Sequence, residues 1–263
     1  MSTTIAVLSQ KGGTGKTTTV RTLSDVFARV GLETLAVDLD PQGNLSDYFD
    51  VPADADPTIS DVLAGQAKAV DAIHDGVIPA NLGLAESELV LSGKMGREMT
   101  MRRALREVKR RYDVIIIDCP PSLGLLTVNA VVAADYALVT TEAQYFSLQG
   151  VEQALEVIEL AKENLHPDLE WLGVVMNIAD MRLVHSREAL AQLRERFGEK
   201  MFDSVIRSSI RYAESAERGL SILDYRPLLG ADYLALADEV LGRLGLEAER
   251  ERLGELRAEL VPA

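Results

Sequence analysis

Cysteine, tryptophan and histidine are scarce in this 263-residue chain, which holds one Cys, one Trp and three His. The lone thiol, Cys119, forms no internal disulfide and supplies no thiolate cluster. A disulfide-stapled scaffold and a Cys-held iron–sulfur centre are thereby excluded. His74, His166 and His185 fall at no metal-ligating spacing, and Trp171 reads as core packing rather than a ligand contact. No apolar run is long enough to cross a bilayer. The chain enters its first apolar run after Met1-Ser2-Thr3-Thr4, with no cleavable secretory pattern, and the expected location is the cytoplasm. That short lead leaves no room for an N-terminal helix-turn-helix, so operator-specific repression is not expected. Net positive charge is missing as well: 27 Lys and Arg against 41 Asp and Glu give −14. Any affinity for a polyanion must therefore come from a local patch.

What is present is regular. Hydrophobic residues make up 47% of the chain and charged ones 26%, and short apolar runs alternate with amphipathic stretches. The pattern predicts an α/β fold, a mostly parallel twisted sheet with helices on both faces, in one domain over residues 1–246. Residues 247–263 read as a helical tail packed on or beside it, with Leu246, Leu253, Leu256 and Leu260 at helical spacing. Glu247, Glu249, Glu251, Glu255 and Glu259 outnumber Arg250, Arg252 and Arg257 there. This favours a packed or partner-binding helix over an anchor for anionic lipid.

The most specific segment follows the apolar run Ile5-Ala6-Val7-Leu8. It reads Lys11-Gly12-Gly13-Thr14-Gly15-Lys16-Thr17-Thr18, the spacing of a phosphate loop between a strand and a helix. Gly12, Gly13 and Gly15 let the backbone turn its N–H groups inward around phosphate oxygens. The helix start favours an anion, Lys16 reaches the β- and γ-phosphates, and the Thr17 hydroxyl is a hard oxygen ligand suited to Mg²⁺. A nucleoside triphosphate with Mg²⁺ is the expected ligand.

Carboxylates end two further apolar runs. In Thr34-Leu35-Ala36-Val37-Asp38-Leu39-Asp40-Pro41 the period of two points Asp38 and Asp40 the same way, and Pro41 stops the strand. Asp38 suits a metal-bound water, and Asp40 suits orientation or deprotonation of the attacking water. Asp118, after Val114-Ile115-Ile116-Ile117, is placed to bind magnesium through water.

Together these residues resemble the ParA/MinD group of P-loop ATPases, whose deviant Walker A pattern Lys-Gly-Gly-x-Gly-Lys-Ser/Thr is met by Lys11 through Thr17. The stretch Asp38 to Asn44 and the run Asp118-Cys119-Pro120-Pro121-Ser122-Leu123-Gly124, with Asn129 and Asp135 beyond, resemble the ParA/Soj partition branch more than MinD. The resemblance spans about residues 3 to 245. Nitrogenase iron protein shares the loop lysine, but its cluster needs paired cysteines. The resemblance implies a slow ATPase with Lys11, Lys16 and Asp40 as catalytic residues. Lys11 would cross to the nucleotide of a second subunit, so that a homodimer sandwiches two ATP molecules. It further implies nonspecific binding of double-stranded DNA by the ATP dimer, hence nucleoid association in that state. A ParB-like adaptor would stimulate hydrolysis while a chromosome, plasmid or protein cargo is positioned. A membrane partner is not expected.

Uneven charge permits this. Residues 38–90 set their acids against only Lys68. Lys94, Arg97, Arg102, Arg103, Arg106, Lys109, Arg110 and Arg111 oppose just Glu98 and Glu107, and read as a basic helix, either a nucleic-acid contact or a solvated face. By resemblance the DNA-binding residues are Arg182, in Asp180-Met181-Arg182, and Arg211, in Ile210-Arg211-Tyr212-Ala213-Glu214.

The second half departs from the family. Arg207-Ser208-Ser209 stands where Pro-Arg-Asn is expected, which leaves the base contacts open, although Asn177 carries amide groups able to read an adenine edge. Thr140-Thr141-Glu142-Ala143-Gln144 replaces a stretch that usually contains Pro and Glu. Two other readings stay open: a MinD-like membrane-associated positioning ATPase, and a metabolic enzyme that uses ATP to activate a carboxylate.

Overall fold

In the computed structural model, which describes residues 2–144 and 147–261, the apolar runs become strands, the central ones buried on both faces. They are β1 (Thr3–Leu8), β2 (Thr34–Asp38), β3 (Val77–Ile78), β4 (Val114–Asp118), β5 (Tyr136–Glu142), β6 (Glu170–Ala179) and β7 (Met201–Arg207). One sheet joins them in the order β3-β2-β4-β1-β5-β6-β7, with every pair parallel. Alternate residues serve opposite cores: Ile5 and Val7 of β1 enter one, Ala6 and Leu8 the other. The centre of a parallel sheet covered on both faces needs apolar residues on both sides, which is why β1, β2 and β4 read as near-continuous runs, whereas the edge strand β7 exposes Asp203 and Arg207.

The helix Lys16–Arg29 contributes Val20, Leu23, Val26 and Phe27 to one core, beside Tyr233 and Leu234 of the helix Pro227–Arg243. The helices Leu125–Ala133, Ser147–Asn164 and Val184–Phe197 cover the other face with Leu126, Val151, Ile158 and Leu193. The final helix, Glu247–Leu260, lays its apolar stripe on the first of these cores. Leu253 is buried there, Leu246, Leu256 and Leu260 pack around it, and Arg250 pairs with Asp238 at 3.0 Å. Pro262 and Ala263 lie outside the described residues.

The expected basic helix is broken. Residues 97–111 form a 3₁₀ turn at Arg97–Met99, a short helix Thr100–Ala104 and a second 3₁₀ turn at Val108–Arg110. The chain must leave helical geometry by Val114 to enter β4, and 3₁₀ turns tighten such endings. This segment leads to the N-terminal end of β4. Arg182 and Arg211 instead follow the C-terminal ends of β6 and β7, so the two basic regions serve opposite ends of the parallel sheet.

The C-terminal ends of the strands share one rim, where ligands of open α/β sheets sit. The phosphate loop leaves β1 there, Asp38 and Asp118 end β2 and β4, and Asn177 lies near the end of β6.

Candidate nucleotide-binding site

Two glycines shape the loop that leaves β1. Gly13 and Gly15 both have φ of 79°, a left-handed value disfavoured for residues with a Cβ. Gly15 also has no room, since a Cβ would stand 2.8 Å from Asn177 Nδ2. It caps the helix Lys16–Arg29 with no side-chain bond, and no acid occupies the first turn. The N-terminal N–H groups and the positive end of the dipole are left for an external anion.

Lys16 is 6% exposed and folds into its own loop, where Nζ donates to Ser9 Oγ at 3.1 Å and to the Lys11 carbonyl at 3.4 Å. Burial lowers its pKa, against the opposing pull of Asp118. Ser9 Oγ meets Thr14 Oγ1 at 2.8 Å, and Thr14 meets Thr140 Oγ1 at 3.0 Å. Hydroxyl contacts thus tie the loop to β5.

Asp38 does not share a strand face with Asp40, because β2 ends at Asp38. The Asp40 N–H turns back to donate to Asp38 Oδ1 at 3.1 Å, the local turn that aspartate favours. Asp38 Oδ2 accepts from Ser46 N at 2.9 Å and Ser46 Oγ at 2.8 Å. Burial pushes its carboxyl up to about 6 despite these bonds. Asp40, beyond the strand, accepts from the Gln42 N–H at 3.0 Å and lines the cavity described below.

Asp118 is the register partner of Asp38 across the β2–β4 pair. It is 1% exposed, and neither carboxylate oxygen has a hydrogen-bond partner. Burial, then the charge of Asp38, push it up to about 8, with Thr17 and Lys16 opposing. An orphaned buried carboxylate close to a threonine hydroxyl fits a hydrated hard cation, the kind of partial oxygen shell that Mg²⁺ accepts.

The phosphate loop opens on a cavity of about 800 Å³, a size typical of cofactor sites, lined by Gly12, Gly13, Gly15, Lys16, Thr17, Thr18, Asp40 and Asn177, with Asp38 and Asp118 buried behind this lining. Asn177 Nδ2 donates to the Thr14 carbonyl at 2.8 Å and to Thr19 Oγ1 at 3.1 Å, while its Oδ1 is buried without a partner. The amide therefore braces the loop with its donor, while its acceptor is left unpaired.

Residues 2–171 match a family model described as an AAA domain. Over 245 residues the chain is 38% identical to the sporulation initiation inhibitor protein Soj of Bacillus subtilis, covering 90% of this chain and 97% of that protein. It is 37% identical to the chromosome partitioning protein ParA of Caulobacter vibrioides, covering 94% and 95% respectively. The chain belongs to the ParA/Soj family of P-loop ATPases. A solved structure of cobyrinic acid a,c-diamide synthase from Mycobacterium smegmatis, with bound ADP and magnesium, shares the fold. Its TM-score is 0.75 at 35% identity, covering 82% of this chain and 93% of that one.

In this ParA/Soj-family chain Lys11 lies on the outer side of the loop. Its Nζ is 2.5 Å from Glu142 Oε1 and 2.6 Å from Gln144 Oε1, and its side chain is 61% exposed. Sequence reasoning singled out the Thr140 to Gln144 stretch but not its partner.

Arg182, in the loop after β6, and Arg211, which opens the helix Arg211–Glu217 after β7, share the rim with the nucleotide cavity. Arg182 is 89% exposed and lays Nε and Nη2 on Asp180 at 2.9 and 2.7 Å, which holds that carboxyl well below its usual range. Arg211 Nη1 lies 2.5 Å from Glu214 Oε2. Each guanidinium is thus oriented by an acid within its own turn, an arrangement that residue spacing alone does not reveal.

Proposed function

We propose that this chain is an ATP-timed switch: ATP and Mg²⁺ drive homodimerisation, the dimer holds double-stranded DNA without sequence preference, and hydrolysis releases it. Lys16 and the loop N–H groups bind the phosphates. Thr17 ligates Mg²⁺ directly, Asp38 and Asp118 hold its waters, and Asp40 orients the attacking water. The metal supplies charge neutralisation on the phosphates when bound. Asn177, which lines the cavity, carries the amide groups that read an adenine edge.

One observation carries the reading: the two loop lysines are divided. Lys16 is buried within its own phosphate loop, whereas Lys11 is presented outward beside it, suited to the nucleotide of a second copy. Arg182 and Arg211 supply a small basic contact per subunit, and dimerisation joins two such contacts into a useful affinity. The chain then acts in the cytoplasm, on the nucleoid when ATP-bound, with a ParB-like adaptor that stimulates hydrolysis and connects a chromosome, plasmid or protein cargo.

Binding to random-sequence duplex across a salt series, with ATP, ADP or no nucleotide, tests this against Lys11→Ala and Arg211→Glu. ATP-dependent binding that weakens with salt and with both substitutions is expected. Binding that ignores the nucleotide refutes the switch.

The similarity to cobyrinic acid a,c-diamide synthase favours a second reading, ATP-dependent amidation of a carboxylate. Glutamine-derived ammonia would require a reactive nucleophile, yet Cys119 is fully buried and burial pushes its thiol far above the usual range. Phosphate release dependent on cobyrinic acid and an ammonia source would establish this reading.

A further inference from the structure

Arg21 occupies an unusual place for a charge. It follows Thr17 by one turn on the helix Lys16–Arg29, about 6 Å further along the axis, and is 3% exposed. Among the described residues it makes no salt bridge. Its Nη2 donates to the Tyr212 carbonyl at 2.7 Å and to Ser215 Oγ at 2.9 Å, and its guanidinium carbon lies 4.6 Å from the centre of the Tyr48 ring. Burial lowers its pKa, but arginine does not deprotonate in proteins. A carbonyl, a hydroxyl and a ring face orient a cation without neutralising it. Arg21 also lines the same cavity as the phosphate loop, so the ligand of that cavity would bring the anionic charge the side chain lacks.

Three elements meet at this guanidinium. The helix Lys16–Arg29 presents the loop N–H groups. Tyr48 ends the helix Asn44–Tyr48, which follows Asp40 and carries the Ser46 that holds Asp38. Tyr212 and Ser215 belong to the helix Arg211–Glu217, which begins at Arg211 itself.

We propose that Arg21 is a positioning residue that couples occupancy of the nucleotide cavity to the order of the helix Arg211–Glu217. The inference rests on the nucleotide reading above and goes beyond it. Without an anion, the buried cation carries an uncompensated desolvation cost that weakens the junction. A polyphosphate in the same cavity stabilises the charged wall, and with it the hold on Tyr212 and Ser215. The ligand therefore interacts differently with the ordered and loosened states of that helix, which is the requirement for coupling. The presentation of Arg211 becomes nucleotide-dependent within one subunit, in addition to any effect of dimerisation.

Hydrogen–deuterium exchange of the full chain, nucleotide-free or saturated with a non-hydrolysable ATP analogue and Mg²⁺, tests the coupling. In wild type the analogue slows exchange in residues 12–20 and in residues 211–217. In Arg21→Met, which keeps bulk but removes donors and charge, the slowing in 12–20 persists while that in 211–217 falls by about tenfold. A purely packing role would alter both regions alike. Undiminished slowing in 211–217 in the variant, or none there in wild type, overturns the proposal. No slowing in 12–20 of wild type instead overturns the nucleotide reading. Ser215→Ala retains the cation and removes one acceptor. If Arg21→Met does not fold, reduced slowing in Ser215→Ala supports the coupling, and full slowing refutes it.

Discussion

Asp118 and Asp38 stand opposite each other at the ends of adjacent parallel strands, and burial raises both carboxyls above their ordinary values. A raised acid costs stability once the unfolded chain ionises. For Asp118 the window runs from its ordinary value of 3.8 to about 8. Across it the native state retains a proton that the unfolded state has lost, so stability falls as pH rises. Asp118→Asn should therefore raise the nucleotide-free Tm by several degrees or more at pH 8 and change it little near pH 4. Melting curves across pH decide this, and an equal gain at both ends would refute the assignment.

Gly12 and Gly15 should respond differently to a side chain. A Cβ at Gly12 meets only Pro121 Cβ at 3.5 Å, an ordinary contact, whereas at Gly15 it meets Asn177 Nδ2 at 2.8 Å with φ already 79°. Gly12→Ala should melt within about 0.5 kcal/mol of wild type, so any dimerisation defect in it or in Gly12→Val arises between subunits. Gly15→Ala should lose about 1–3 kcal/mol and its nucleotide affinity. Calorimetry and sedimentation separate the two effects.

The outward lysine is held by its own chain through Glu142. A pair this exposed contributes about 0.2–1 kcal/mol. Glu142→Gln should therefore lower the protein concentration needed for ATP-dependent dimerisation by about two- to fivefold. An unchanged midpoint in sedimentation equilibrium would show that the contact does not compete with dimerisation.

Asp40→Ala should bind ATP and hydrolyse it about a hundredfold more slowly or worse. The variant should persist on DNA in its ATP form. Normal phosphate release would remove Asp40 from the chemistry.

The phosphate loop and the acids at the strand ends were legible because each signal is local: a glycine pattern after an apolar run, or a carboxylate closing one. Partnerships across the fold were not. Lys11 and Glu142 are 131 positions apart, and Arg21 and Ser215 are 194 apart; no periodicity connects them. The turn of Asp40 onto Asp38 escaped notice because strand alternation was extended past the residue where β2 stops. The basic stretch 97–111 had the charge pattern of a helix but lacked the room to remain one before β4. The strand order depends on crossover packing, which hydrophobic runs alone do not encode.

The central place of β1 has a consequence for biosynthesis. This strand is made first, yet its two neighbours are β4, beginning at Val114, and β5, beginning at Tyr136. At about 5–20 residues per second, a ribosome needs roughly 5–25 s to deliver them. Asn177, which braces the loop from β6, arrives later still. A nascent chain therefore exposes the apolar residues Ile5–Leu8 of β1 for much of its own translation, and a fragment released before residue 177 lacks the brace that holds the phosphate loop.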